Sequence, residues 1–229
     1  MRNKFDMQLD SMKEQLIRMG ELCEIAITKA TEAILEGKKE QAVEVIRADE
    51  EIDQAEKDIE RLCLRLLLQQ QPVARDLRQI SAALKMITDM ERIGDQASDI
   101  AEILLSASEL HLEKQNHDVG KMAQAVAKMV KESVQAYVDQ NMMLAKKVMN
   151  SDDEVDRMFE KVRQEIIDYI AGQNGQGGEQ AIDLIMVTKY LERIGDHATN
   201  IAEWVEFSIT GNHRVAVEFR KKEETGEKE

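Results

Sequence analysis

Apolar and polar residues alternate along this chain with the period of an α-helix. Between residues 91 and 104, Ile93, Ala97, Ile100 and Leu104 fall within about 60° of one another on a helical wheel. Glu91, Asp95, Asp99 and Glu102 fall on the opposite side, so the segment reads as a helix with one buried and one acidic face. The same period predicts helices over 7–36, 39–70, 72–107, 119–139, 141–171 and 179–210. Gly37 stops the first, and Pro72 suits the first turn of the third, where its missing N–H has no intrahelical partner. The glycine-rich run 172–178 reads as a loop between the fifth and sixth, and 108–118 as a junction.

The two halves of this pattern are copies. Glu91-Arg-Ile-Gly-Asp-Gln-Ala-Ser-Asp-Ile-Ala-Glu102 matches Glu192-Arg-Ile-Gly-Asp-His-Ala-Thr-Asn-Ile-Ala-Glu203 at nine of twelve positions, 101 residues apart. Upstream, Ala48-Asp-Glu-Glu-Ile-Asp53 answers Ser151-Asp-Asp-Glu-Val-Asp156 at an offset of 103. A duplication of this length, with short connections between long helices, predicts an all-α protein of two tandem three-helix bundles, comparable in layout to spectrin repeats. The expected units are 1–110 and 117–211, followed by a charged tail over 212–229.

Composition narrows the function classes. Aromatic residues are 3% and there is one Pro, while helix-favouring Ala, Leu, Ile, Met, Glu, Lys and Gln dominate, which excludes an all-β or collagen-like chain. The formal charge of −14 and the lack of a basic cluster argue against direct nucleic-acid binding. No apolar run reaches the roughly 18 to 20 residues of a membrane span, and the N-terminal Met-Arg-Asn-Lys-Phe-Asp shows no apolar h-region of a secretory signal, so a cytoplasmic location is expected. Cys23 and Cys63 lie singly among Leu and Ile and read as core residues.

The chemistry sits in the acidic stripes. Glu91, Asp95 and Asp99 line one face at i,i+4 spacing; Glu192, Asp196 and Asn200 repeat it, with Ile194, Ala198, Ile201 and Val205 on the apolar side. Matching stripes run along the middle helices, Asp49 and Asp53 in the first copy and Asp152, Asp156 and Glu160 in the second. Like charges at i,i+4 repel, and a cation on the stripe offsets this; carboxylates suit Mg²⁺, Ca²⁺, Mn²⁺ or iron. The same pattern also describes an ordinary solvated helix face in which Arg92 and Arg193 pair with neighbouring acids. Gly94 and Gly195 mark mid-helix positions where a second helix approaches closely. No Glu-x-x-His motif, phosphate-binding glycine loop, nucleophile elbow or Cys/His pair occurs, so di-iron oxidation, nucleotide hydrolysis and acyl transfer lack their machinery.

With both Glu-Arg-Ile-Gly-Asp segments, both upstream acidic segments and Gln71-Pro-Val-Ala-Arg-Asp-Leu-Arg78 in view, the chain closely resembles the PhoU family over essentially residues 1–211. The resemblance implies metal clusters on Glu/Asp-x-x-x-Asp motifs, which fall here on Glu91 and Asp95 and on Glu192 and Asp196, with the upstream motif on Asp49 and Asp53 and on Asp152 and Asp156. Asn200 stands where the first copy has Asp99, so the two sites differ in charge. Divalent or trivalent ions (Mg, Mn, Fe or Zn) are the implied cofactors, and a homodimer or higher homo-oligomer the implied assembly. The implied role is a cytoplasmic negative regulator that couples the ATPase subunit of the phosphate ABC transporter to the sensor histidine kinase of the phosphate response. A carboxylate-bridged metal-dependent enzyme and a ligand-free helical scaffold are the alternatives.

Overall fold

A computed structural model of the chain describes residues 2–70, 72, 74–107, 113–172 and 177–212. Among the described residues six helices follow in order: α1 (Arg2–Glu36), α2 (Lys39–Gln70), α3 (Ala74–Ser106), α4 (Glu113–Val138), α5 (Met142–Gly172) and α6 (Gly178–Thr210). α1, α2 and α3 pack on one another as one bundle, α4, α5 and α6 as the other. α1 also packs on α4 and α3 on α6, so the two bundles lie side by side over one shared core.

The α1 stripe Met12, Leu16, Met19, Cys23, Ile27 and Ile34 is fully or almost fully buried. Met86, Met90, Met122 and Met129 are buried in the shared core, where their flexible thioethers suit irregular spaces. Both cysteines are free and buried, with Cys23 directed at the Met90 carbonyl and Cys63 at the Met12 sulfur. Burial pushes each thiol up to about 12, so neither supplies a thiolate at neutral pH. Tyr137, fully buried, donates its hydroxyl to the Gln79 carbonyl at 2.7 Å and ties α4 to α3. Trp204 packs edge-on against Phe207.

Local chemistry sets the helix ends. Gly37 takes a positive φ of 67°, and the next residue, Lys38, donates its N–H to the Ala33 carbonyl, closing α1. Gly211, φ 79°, closes α6 by donating to Phe207. Asn141 caps α5, its Oδ1 accepting the Leu144 N–H at 3.1 Å. Three boundaries differ from the sequence expectation by more than one residue. α1 begins at Arg2 rather than residue 7 because buried Phe5, four residues before Leu9, carries the apolar pattern back one turn, and α4 begins at Glu113 rather than Val119 because the helix extends through polar, helix-tolerant residues. Residues 113–118, expected in the junction, therefore belong to α4, while 108–112 lie outside the described residues. Pro72 precedes α3 instead of opening it, and the helix starts at Ala74, whose φ of 42° lies in the left-handed region. The tail beyond Asn212 and loop positions 173–176 also lie outside the described residues.

The contact between α3 and α6 positions the site. Asp89 on α3 accepts a hydrogen bond from Asn200 on α6 (3.1 Å) and meets His197 Nδ1 at 2.9 Å, and Asp99 is hydrogen-bonded to Tyr190. The partners run in opposite order, so the helices are antiparallel. Asp89 and Tyr190 are equivalent positions of the two copies, as are Asp99 and Asn200, so a local two-fold relates the pairs. On each helix the partner-facing residues separate the acidic stripe from the buried one in the same rotational sense. Antiparallel packing therefore brings both acidic stripes out on one side of the pair, with the core on the other.

Candidate functional site

Each acidic stripe runs along a seam between two helices, more deeply in the first copy than in the second. Asp49 and Asp53 on α2 meet Glu91, Asp95 and Asp99 on α3, and all five are half-buried. Glu56, one turn beyond Asp53 and also half-buried, joins them; burial and then Glu60 and Asp53 raise its pKa. In the second copy Asp152 and Glu192 are half-buried, whereas Asp156, Asp196 and Asn200 are exposed. The expectation that the acids point straight away from the core is thus corrected, because the neighbouring helix covers part of each stripe.

Asp49 stands at the centre of the first seam. Its Oδ1 is buried and has no hydrogen-bond partner, an arrangement that native proteins rarely leave uncompensated. That oxygen rests over the bare Cα of Gly94: a Cβ placed there would lie 2.7 Å from Asp49 Oδ1 and 3.0 Å from Ile52 Cδ1. Burial, then the carboxylates of Asp95, Asp53, Glu91 and Asp99, push Asp49 up to about 6. Glu91 and Asp99 are raised too, each first by burial and then by an adjacent acid, Asp95 and Glu102 respectively. Arg92 pairs with Asp95 at 3.0 Å and with Glu91 at 3.5 Å, an exposed contact that leaves Asp49 unrelieved.

The second seam is built on the same plan with less charge. Although the residue is exposed as a whole, partial burial of its carboxyl, then Glu192 and Asp152, push Asp196 up to about 6, with Lys189 acting in the opposite direction. Asp152 is raised by burial and by Asp156, and its Oδ1 lies 3.7 Å from a Cβ built on Gly195. Phe159 occupies the place of Glu56, and Lys189 the place of Thr88; Lys189 bonds Glu192 and lies 5.4 Å above the Phe159 ring. Asn200 is engaged with Asp89 of the other copy. Glu160, expected in this stripe, is exposed and pairs with Arg163 at 2.7 Å. Glu56 was legible as a position seven residues after Asp49; its equivalent is Phe159, so the repeat comparison hid it.

Among the described residues no three carboxylate, imidazole or thiol groups converge at metal-ligating separation, so the acids share a seam without forming a closed cage. The donors still fit a hard cation. They are oxygens, one is buried and unpaired, and Gly94 leaves the space in which it sits. An open seam suits ions that retain water, such as Mg²⁺, better than tetrahedral zinc with nitrogen or sulfur ligands. Gly94→Ala forces Asp49 and Ile52 apart and is expected to lower Tm, as overpacking costs about 1–3 kcal/mol, whereas Gly195→Ala, whose nearest contact is Val155 at 3.3 Å, is expected to be close to neutral. Thermal melts of the two variants check this.

Comparisons with known proteins agree with this architecture. A sequence model of the PhoU domain matches residues 16–104 and again 119–205. The phosphate-specific transport system accessory protein PhoU homolog of Clostridium acetobutylicum is 37% identical over 215 residues, covering 92% of this chain and 96% of its own length. The homolog of the same name from Aquifex aeolicus is 40% identical over 186 residues, covering 81% and 84%. The crystal structure of PhoU from Pseudomonas aeruginosa superposes with a TM-score of 0.84 at 32% identity, covering 91% of this chain and all of that one. With the domain found in both halves and relatives of this identity matched along nearly their whole length, the chain belongs to the PhoU family.

Proposed function

We propose that this protein is a non-enzymatic regulator of phosphate uptake that binds divalent cations in its two acidic seams. Its relatives are named as accessory proteins of the phosphate-specific transport system. The role inferred here is a negative regulator of uptake and of the phosphate-starvation response, an adaptor between the ATPase subunit of the phosphate ABC transporter and its sensor histidine kinase. No helix among the described residues is long and apolar enough to cross a membrane, in keeping with a peripheral, cytoplasmic partner of membrane proteins. The observation that carries the cation reading is the unpartnered Asp49 oxygen, held over Gly94 among four further carboxylates.

Asp49, Asp53, Glu91, Asp95 and Asp99 would hold cation in the first seam, and Asp152, Asp156, Glu192 and Asp196 in the second. A bound cation supplies charge neutralisation between helices that otherwise repel. Mg²⁺ or Mn²⁺ suits these donors best, iron next and zinc least. Neutralised seams hold α2 against α3 and α5 against α6, and the resulting face is presented to partners according to phosphate status. The seams are shallow and among the described residues the only imidazole near them, His197, is engaged with Asp89, which disfavours the hydrolase or oxidase alternative. The regulatory role is tested by deletion in the host: expression of phosphate-starvation genes in high phosphate is expected, together with capture of the transporter ATPase and the sensor kinase by the purified chain. Continued repression with neither partner captured contradicts it.

A further inference from the structure

A groove of about 1400 Å³ runs along α1 and α2, away from the acidic seams, and is lined by residues of these two helices alone. Its chemistry is opposite to that of the chain. The protein carries 45 acids against 31 Lys and Arg, yet Lys4, Arg18, Arg47, Arg61 and Arg65 line the groove against Glu50, Glu51 and Asp58. Among the described residues Arg61 pairs with Asp58, while Lys4, Arg18, Arg47 and Arg65 have no carboxylate within 4.0 Å. α1 and α2 are antiparallel, as the contact of Met12 with Cys63 and of Lys29 with Glu44 shows, so Lys4, Arg61 and Arg65 gather at one end. Glu50 and Glu51 lie toward the other. Met7, 72% exposed, and the half-buried Leu22 and Leu62 add apolar contacts among the uncharged Gln15 and Gln54.

A groove between two parallel-sided helices that offers apolar contacts flanked by cations, four of them with no carboxylate partner among the described residues, is a surface on which an amphipathic helix docks. From Lys4 to Arg18 alone α1 extends about 21 Å, longer than a small anion spans and matched by about four turns of helix. We infer that this groove binds an acidic amphipathic helix of a partner protein, its apolar face over Met7, Leu22 and Leu62 and its carboxylates over Lys4, Arg61 and Arg65. The fourth helix would complete a bundle with α1, α2 and α3. The occupant is acidic because the unpaired lining charge is positive, and its acidic end is fixed by the Lys4, Arg61 and Arg65 end of the groove. This inference is independent of cation binding in the seams.

The test titrates the full chain into a fluorescein-labelled helical peptide with a Leu stripe flanked by Glu, read by anisotropy, beside the same peptide with Lys for Glu and a poly-glutamate without Leu. Saturable binding of the Glu/Leu peptide is expected, at least tenfold tighter than either control and weakened by salt. Arg61→Glu with Arg65→Glu is expected to weaken it at least tenfold, and Met7→Glu severalfold. These positions are exposed, so the variants keep the fold, checked by unchanged thermal melts. Equal binding of the Lys/Leu peptide, binding of poly-glutamate as tight as that of the Glu/Leu peptide, or binding unaffected by the substitutions overturns the inference. So does dimerisation of the chain that is abolished by Met7→Glu, since the groove would then be occupied by a second copy.

Discussion

Millimolar Mg²⁺ or Mn²⁺ added to chelator-treated protein at pH 7.5 is expected to raise Tm by about 5–10 °C. A ligand present at a hundredfold its Kd contributes about 2.7 kcal/mol, and each kcal/mol shifts a chain of this size by about 2–4 °C. The same acids set the pH dependence. Asp49 and Asp196 are held near 6 in the folded protein, above the ordinary 3.8, so the folded state binds more protons than the unfolded chain between about pH 4 and 6. Stability without cation therefore falls as pH rises through that window, and the full penalty is present at neutrality. The raised Glu91, Asp99 and Asp152 act in the same direction. Asp58, whose pKa is lowered by Gln54 and Arg61, acts oppositely but below the window. Cation-free protein is expected to melt higher at pH 5 than at pH 7.5, and saturating cation to abolish or reverse that order. Melts across pH with and without Mg²⁺ check both parts.

Asp49→Asn inverts the outcome according to cation. Without cation the substitution removes a charge that burial and the surrounding carboxylates both disfavour, and Tm at pH 7.5 is expected to rise. With cation the wild type gains stability and the variant gains much less, so the order of the two proteins reverses. A merely solvated acidic face predicts no such crossing. Asp95→Ala with Asp196→Ala, one substitution per seam, is expected to remove most of the cation-dependent gain. The first seam carries Glu56 and Asp99 where the second carries Phe159 and Asn200 and adds Lys189. Asp95→Ala alone is therefore expected to cost more of the gain than Asp196→Ala alone, measured as the Tm shift on adding Mn²⁺.

The helices and the acidic stripes were legible because both rest on local periodicity. Spacing at i,i+4 puts Glu91, Asp95 and Asp99 on one face whatever lies next to them. The half-burial of that face was not legible, since it depends on where α2 crosses α3, and the contact of Asp49 Oδ1 with Gly94 is set by that crossing. Gly94 itself did signal a close approach, though not which side chain would fill it. The meeting of Asp89 with Asn200, 111 residues apart, follows from antiparallel packing of two copies, which no periodicity within either copy encodes. It also adds to the reading of Asn200, the neutral counterpart of Asp99, a contact between the halves that Asp99 mirrors through Tyr190. The start of α4 escaped detection because residues 113–118 are polar and leave no stripe.

Equilibrium dialysis of purified protein against Mn²⁺, with metal content measured per chain, tests cation binding in the seams most directly. Bound Mn²⁺ at both repeats is expected, with the first-repeat share lost in Asp49→Ala with Asp95→Ala and the second-repeat share lost in Asp152→Ala with Asp196→Ala. Wild-type protein that retains no Mn²⁺, or variants that retain as much as the wild type, contradict the account.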